Sequence, residues 1–292
     1  MTIPSGFAVL LLLATPAPAQ NPPALLSAGP RTEERGVPIE ALKAQGPSLA
    51  EAFAAKVHTN DAGATMPYRL YTPTPLVQGA RYPLVVFLHG SGGAGADNAR
   101  QLQRANMFGA LIWTLPENQK RHPAYVLAPE TDASWACIIP DPNKQARKPA
   151  DLTPCPLEML GAGEKLAFEL IDALLATLPI DRNRIYVTGH SMGGAGTWHM
   201  LYHRPAFFAA GAPVCGHPDP AMAATLKDVP IWNFHGDADE IEPVATSRVT
   251  IEALRKVGGR PLHTEYPGVG HNVFMWAYTE PALVEWLFAQ SR

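Results

Sequence analysis

Ser191 stands within Gly189-His-Ser-Met-Gly193, directly after the apolar run Ile185-Tyr-Val-Thr188 and before a segment carrying Trp198 and Leu201. A serine set between glycines where a strand turns into a helix is held out for nucleophilic attack. Such a bend forces the serine into a strained backbone, and side chains at its flanks would clash. Gly194, Ala195 and Gly196 extend the small-residue patch, which lets the following helix sit close to the strands. A hydroxyl is a weak nucleophile near neutral pH. It needs a base within hydrogen-bond reach and a third group to orient that base. The chemistry of such a set is acyl transfer.

The rest of the chain offers both groups. Ile231-Trp-Asn-Phe-His-Gly-Asp-Ala-Asp-Glu-Ile-Glu-Pro243 places four carboxylates just past an apolar run. Asp237, next to Gly236, is suited to shaping the turn through its own backbone. Asp239, further along the loop, has more reach toward a site; on the residues alone both remain candidates. Glu240 and Glu242 read as solvated loop charges. Glu265-Tyr-Pro-Gly-Val-Gly-His271 carries a histidine on a glycine-rich loop after the last strand-like run, where a base can descend on the serine. The remaining histidines have plainer readings. His199 and His203 belong to a helix face, His58, His122, His217 and His263 lie on strands or loops without an evident partner, and His190 and His235 sit inside motifs whose neighbours do the chemistry. No metal-ligand spacing and no cofactor fingerprint is evident, so neither a metal nor a cofactor is expected.

Acyl transfer builds negative charge on the carbonyl oxygen, and backbone N–H groups must already point at it. Met192, after the serine, is one candidate donor. Ser91 in His89-Gly-Ser-Gly-Gly93 is the other, with Gly92 as its alternative. The long segment from Pro129 to about Gly161 is expected to wall the cleft, and Trp135 within it is the candidate substrate contact; packing onto the domain is the competing role for that indole.

These residues need a scaffold that brings distant loops to one rim. Ala52 to Thr59 and Pro67 to Tyr71 read as a hairpin around Asn60-Asp-Ala-Gly63. Pro83 to Leu88, Tyr125 to Ala128, Ile185 to Thr188, Ala209 to Val214, Ile231 to Phe234 and Leu262 to Tyr266 are short apolar runs of the kind buried in parallel sheets. Between them lie helical patterns. Glu164 to Leu178 aligns Leu166, Leu170, Ile171, Leu174, Leu175 and Leu178 on one face, and Thr246 to Val257 and Pro281 to Gln290 behave likewise. Strands alternating with helices imply an α/β fold with a mostly parallel central sheet of about eight strands, helices on both faces and the functional loops at one edge. The order Ser, Asp, His along the chain is that of the α/β-hydrolase fold.

The 292 residues are 47% hydrophobic and 17% charged, with a net charge of -3. That supports one large core and offers no basic stripe for nucleic acid. Residues 1–19 read as a signal peptide, with an apolar run from Phe7 to Ala14 and an Ala17-Pro-Ala19 cleavage site before Gln20. The run is shorter than the ~20 residues a membrane span needs. The mature protein is therefore expected to be exported, to the periplasm or the medium, with no membrane span. Residues 20–48, rich in Pro, Ala and Gly, read as an N-terminal arm, and 49–292 as the catalytic domain. In an oxidising compartment Cys137 and Cys155 could close a loop, with free thiols the alternative; Cys215 reads as a buried strand end.

From about Ala52 onward the chain resembles the esterase/peptidase family related to polyhydroxybutyrate depolymerases and the phospholipase/carboxylesterases. The resemblance rests on Arg184-Ile-Tyr-Val-Thr-Gly-His-Ser-Met-Gly-Gly194, Phe208-Ala-Ala-Gly-Ala-Pro-Val-Cys-Gly216, Phe234-His-Gly-Asp-Ala-Asp239 and Tyr266-Pro-Gly-Val-Gly-His-Asn272. It implies a cofactor-free serine carboxylester hydrolase and selects Asp239 as the acid. The stretch Asn272-Val-Phe-Met-Trp276 is more apolar than the resemblance leads one to expect. Small-molecule or glycan-linked esters are the expected substrates. A peptidase, an acyltransferase and a silent binding protein on the same scaffold are the alternatives.

Overall fold

The computed structural model describes residues 39–140 and 152–292. The leader and residues 20–38 of the arm lie outside the described residues. The described arm is helical: α1 spans Ile39–Glu51. Leu42 is fully buried in the core, with Ile39, Leu49 and Ala50 packed beside it. These residues recur at the three- and four-residue spacing that makes one helix face. The prolines and glycines of the arm masked that stripe in composition, so the boundary at residue 48 falls inside a docked helix rather than at a linker.

The strands are β1 (Ala54–Thr59), β2 (Thr65–Tyr71), β3 (Tyr82–Leu88), β4 (Tyr125–Pro129), β5 (Ile138–Pro140), β6 (Leu152–Pro154), β7 (Ile180–His190), β8 (Ala210–Val214), β9 (Trp232–Gly236) and β10 (Leu262–Tyr266). The other helices are α2 (Asn106–Leu111), α3 (Pro116–Arg121), α4 (Ala162–Thr177), α5 (Met192–His203), α6 (Ala223–Leu226), α7 (Val244–Lys256), α8 (Phe274–Tyr278) and α9 (Pro281–Phe288). Eight strands form one sheet in the order β1-β2-β4-β3-β7-β8-β9-β10. β2 runs antiparallel to β1 and β4, and every other neighbouring pair is parallel. This is the α/β-hydrolase fold. β5 and β6 pair separately as a short antiparallel ladder within the long segment after β4.

Both faces of the sheet are covered, as the unbroken apolar runs require. Alternate residues of β3 divide between the two cores. Val85 and Phe87 pack with Phe108, Trp113, Tyr278 and Leu287 on one side. Leu84, Val86 and Leu88 pack with Phe168, Ile171, Trp198 and Leu254 on the other. Each such side chain contributes about 1.5–3 kcal/mol by leaving water. A charge placed at Val86 would therefore lose that contribution and be buried unpaired between two layers. Among the described residues no helix is long and apolar enough to cross a membrane.

Candidate active site

β7 and α5 meet at Ser191, whose backbone sits at φ 55°, ψ −121°. That conformation is costly for a residue with a Cβ and is held by its surroundings. The Ser191 N–H donates to the Val214 carbonyl at 3.0 Å, tying the bend to the end of β8. Gly193 is required by close approach, since a Cβ there would run into the Leu88 carbonyl of β3. At Gly189 a Cβ would come within 2.5 Å of the Gly193 carbonyl oxygen. The strained serine and its flanking glycines are one device: the strand-to-helix turn closes only where the neighbours have no side chains.

The loops after β9 and β10 carry the candidate acid and base, and backbone bonds join them. Asp237 N–H donates to Tyr266 O at 3.2 Å and Ala238 N–H to Val269 O at 3.1 Å. Asp237 Oδ1 accepts the Gly268 N–H at 2.6 Å, so this carboxylate shapes the turns. Asp239 points to the serine. Its Oδ2 accepts from His271 Nδ1 at 2.8 Å, and His271 Nε2 accepts from the Ser191 hydroxyl at 2.9 Å. Asp239 Oδ1 takes the amides of Ile241 and Glu242, both at 2.9 Å. Burial of the Asp239 carboxyl works to raise its pKa, but the hydrogen bonds from His235, His271 and the Glu242 amide outweigh it and hold the group well below the usual carboxylate range. The acid is thus ionised and saturated. The His271 side chain keeps 21% of its surface exposed, while that of Asp239 keeps none. With Nδ1–H committed to Asp239, the ring offers Nε2 to the serine proton, which is the tautomer a general base requires.

Leu88 and Gly189 are register partners, so the loops leaving β3 and β7 emerge side by side. The first of these loops winds into a single 3₁₀ turn, Ser91–Gly93, in which Gly93 N–H donates to Gly90 O. The Ser91 and Gly92 amides precede the first intra-turn bond, and Met192 opens α5, so helix geometry gives none of the three an internal acceptor. The residues before them are clamped. Gly90 N–H donates to Asn106 Oδ1 at 3.0 Å. His89 Nε2 accepts the Thr131 amide at 3.1 Å, which leaves Nδ1–H to donate to Gly90 O at 2.9 Å. Burial lowers the His89 pKa to about 4, against the pull of the Gly90 carbonyl.

Trp135 corrects an expectation. It is fully buried, and its indole N–H donates to His89 O at 2.9 Å. An indole with no exposure cannot meet a substrate; it packs on His89 and anchors the loop that carries Ser91. Three histidines read as lacking partners also have them: His122 with Glu285, His217 with Glu242 and His263 with Glu265. Asn106, His89 and His235 escaped sequence reasoning as supports, because none belongs to a chemical motif of its own. Cys137 and Cys155 form a disulfide. Cys215 is the free cysteine, buried at φ 40° with its thiol 3.8 Å from the His271 carbonyl. Burial pushes that thiol's pKa up strongly, so it is not a second nucleophile.

Two groups among the described residues have ligand-type atoms close enough to share a cation. Cys215, Asp239 and His271 form one, and there the Asp239 and His271 atoms are already engaged in the hydrogen-bonded triad. Glu164, His199 and His203 form the other, away from it on α4 and α5.

Residues 78–276 match the model of the phospholipase/carboxylesterase family, and the chain belongs to that family. It is a hydrolase of carboxylesterase type. The chain is 25% identical over 276 residues to the provisionally named esterase NocK of Nocardia uniformis subsp. tsuyamanensis, covering 88% of this chain and 71% of that protein. It is 31% identical over 153 residues to poly(3-hydroxyalkanoate) depolymerase C of Paucimonas lemoignei, covering 51% of this chain and 31% of the depolymerase. The solved structure of a thermostable esterase superposes with a TM-score of 0.75 at 36% identity, covering 84% of this chain and 64% of that one. The chain therefore spans less than two thirds of the depolymerase and of the thermostable esterase.

Proposed function

We propose that this protein cleaves small or carbohydrate-linked carboxylic esters through an acyl-serine intermediate. The observation that carries the reading is the unbroken chain Asp239–His271–Ser191, with hydrogen bonds of 2.8 and 2.9 Å. In the first half-reaction His271 Nε2 takes the Ser191 proton as Oγ attacks the ester carbonyl, and returns it to the leaving alcohol. The ionised Asp239 stabilises the imidazolium formed in between. The amides of Ser91 (or of Gly92 in the same turn) and Met192 would hold the oxyanion, each contributing about 10²–10³-fold on the general scale per donor. Water then repeats the sequence on the acyl-enzyme.

An open rim supports a bulky alcohol. Ser91 and Gly92 are exposed and Ser191 and Met192 half-buried, so a sugar carrying the ester could remain in solvent while its acyl group reaches the serine. The test is a panel of acetyl, butyryl, longer acyl and feruloyl esters beside short peptides, combined with mass spectrometry after a fluorophosphonate probe. Ester turnover with an adduct on the Ser191 peptide is expected. Labelling elsewhere, or faster cleavage of peptides than of any ester, would overturn the reading. We also infer export of the mature chain from Gln20; the Cys137–Cys155 disulfide supports an oxidising compartment. Cell fractionation with N-terminal sequencing checks it.

A further inference from the structure

The group formed by Glu164, His199 and His203 has no part in the triad. His199 and His203 are four residues apart on α5, the spacing that stacks side chains on one helix face. Glu164, in the first turn of α4, faces them with no exposed surface, and its Oε1 lies 2.7 Å from His203 Nδ1. The ligand-type atoms of all three lie within 4.8 Å of one another. His199 is 8% exposed, and its Nδ1 is buried without a hydrogen-bond partner. Asp219 lies close enough for its charge to act on His199.

We propose that Glu164, His199 and His203 form a structural zinc site that joins α4 to α5. Two imidazoles and a carboxylate are a donor set suited to Zn²⁺, with a fourth position left for water. Donor atoms about 2.1 Å from a tetrahedral zinc lie roughly 3.4 Å apart, so small side-chain rotations bring the three into place. The supporting bonds are those a zinc site uses. His203 Nε2–H donates to the Leu157 carbonyl at 2.7 Å, fixing the ring with Nδ1 toward Glu164. The second Glu164 oxygen accepts the Gly161 amide at 3.4 Å. Such outer partners orient metal ligands and raise their basicity. Zinc would take the lone pair of His203 Nδ1 in place of a proton, which leaves to the buffer. His199 sits about 12 Å along α5 from the nucleophile, at 1.5 Å per residue. The ion would therefore brace the helix that carries the elbow, without touching substrate.

The experiment is a titration of the full chain, first stripped with a chelator, with zinc chloride. It is followed by calorimetry in buffers of different ionisation heat and by thermal melting. The expected result is one ion bound at this site with proton release and a rise of several degrees in Tm at saturation. His199→Gln and Glu164→Gln should each lower zinc affinity by about tenfold or more. His199→Gln leaves the Glu164–His203 bond untouched, so the test survives if the other variant folds poorly. Absence of binding at about 100 μM zinc overturns the proposal. So does binding that both variants retain, or binding lost in Cys215→Ala and kept in His199→Gln, which would put the ion at the triad instead.

Discussion

Among the described residues, two fully buried carboxylates each grip an imidazole, and they are placed for different ends. Asp239 holds His271 at 2.8 Å on the rim, and Glu164 holds His203 at 2.7 Å between two helices. What separates them is the second ring nitrogen. In His271 it meets a hydroxyl on a strained, half-exposed turn. In His203 it donates to the Leu157 carbonyl, which cannot give up a proton. A third case sharpens the lesson: His235 Nδ1 is 2.8 Å from the Ser247 hydroxyl, but Nε2 is committed to the Glu242 carbonyl and both side chains are fully buried. A carboxylate–histidine–serine contact becomes reactive only where the serine stands in reach of solvent and the imidazole can change its protonation.

The comparison breaks most visibly at Ser191. Ser191→Ala should lower kcat by about 10⁶-fold if the three side chains act as a unit, with KM for a chromogenic acetyl ester little changed. Retention of more than a thousandth of the turnover would mean that the chain of hydrogen bonds is not the catalytic one. Asp239→Asn should cost about 10⁴-fold, because the imidazole loses both its anionic partner and the tautomer that partner imposes. Asp237→Asn, by contrast, touches the bond to Gly268 and the charge that Arg248 feels, and a loss exceeding about tenfold there would show that the acid had been misassigned.

Much of this contrast was legible in the sequence, and its limits are physical. The elbow announces itself because a strand-to-helix bend tolerates only glycine beside the serine, so geometry is written into residue type. The parallel strands were legible because burial on both faces makes each an unbroken apolar run. The choice of Asp239 over Asp237 was legible only through the family resemblance, since two carboxylates in one turn differ only in where the backbone aims them. Trp135 was placed in the cleft because its loop leaves β4 at the active edge. Sequence carries no sign that the indole turns inward to His89. The helix α1 escaped notice for the opposite reason, as Pro47 and Gly46 argue locally against a helix that Leu42 secures by packing. The partners of His122 and His217 lie far off in the chain, and no local pattern encodes them; Glu265, by contrast, stands on the same strand as His263 with one residue between.

The disulfide offers a smaller effect. Cys137 and Cys155 are separated by 18 residues, and closing such a loop stabilises by about 3 kcal/mol in the chain-entropy model. Reduction should lower Tm by roughly 6–12 °C on the usual scale for a domain of this size, and raise the thiol count of the denatured protein from one to three. An unchanged Tm would mean that the bond adds nothing to the hold that the Trp135–His89 contact already gives the chain after β4.

The finest distinction between the two pairs is the sign of their pH dependence. Asp239 has a depressed pKa, so its contribution to stability is present above the ordinary value of 3.8 and is lost as pH falls. The Glu164–His203 pair runs the other way. Burial raises the pKa of Glu164, and in His203 the opposing effect of burial is outweighed by the hydrogen bond and charge of Glu164, which raise that pKa too. The pair holds its proton more tightly in the folded chain than in the unfolded one. Its stabilisation is complete below the unfolded histidine value of 6.5 and drains away as pH climbs through the folded value. In urea denaturation of the chelator-treated protein between pH 6 and 9 this pair's contribution should therefore fall with pH, by at most about 1.4 kcal/mol per unit for one proton. Set against it is the rise near pH 6.5 from His89, His190, His199 and His263, whose pKa values burial lowers. Glu164→Gln removes the charge that retains that proton, so its decline should be shallower. Equal slopes in the two proteins would mean that His203 owes nothing to Glu164 beyond packing, and the two carboxylate–imidazole pairs would no longer be comparable.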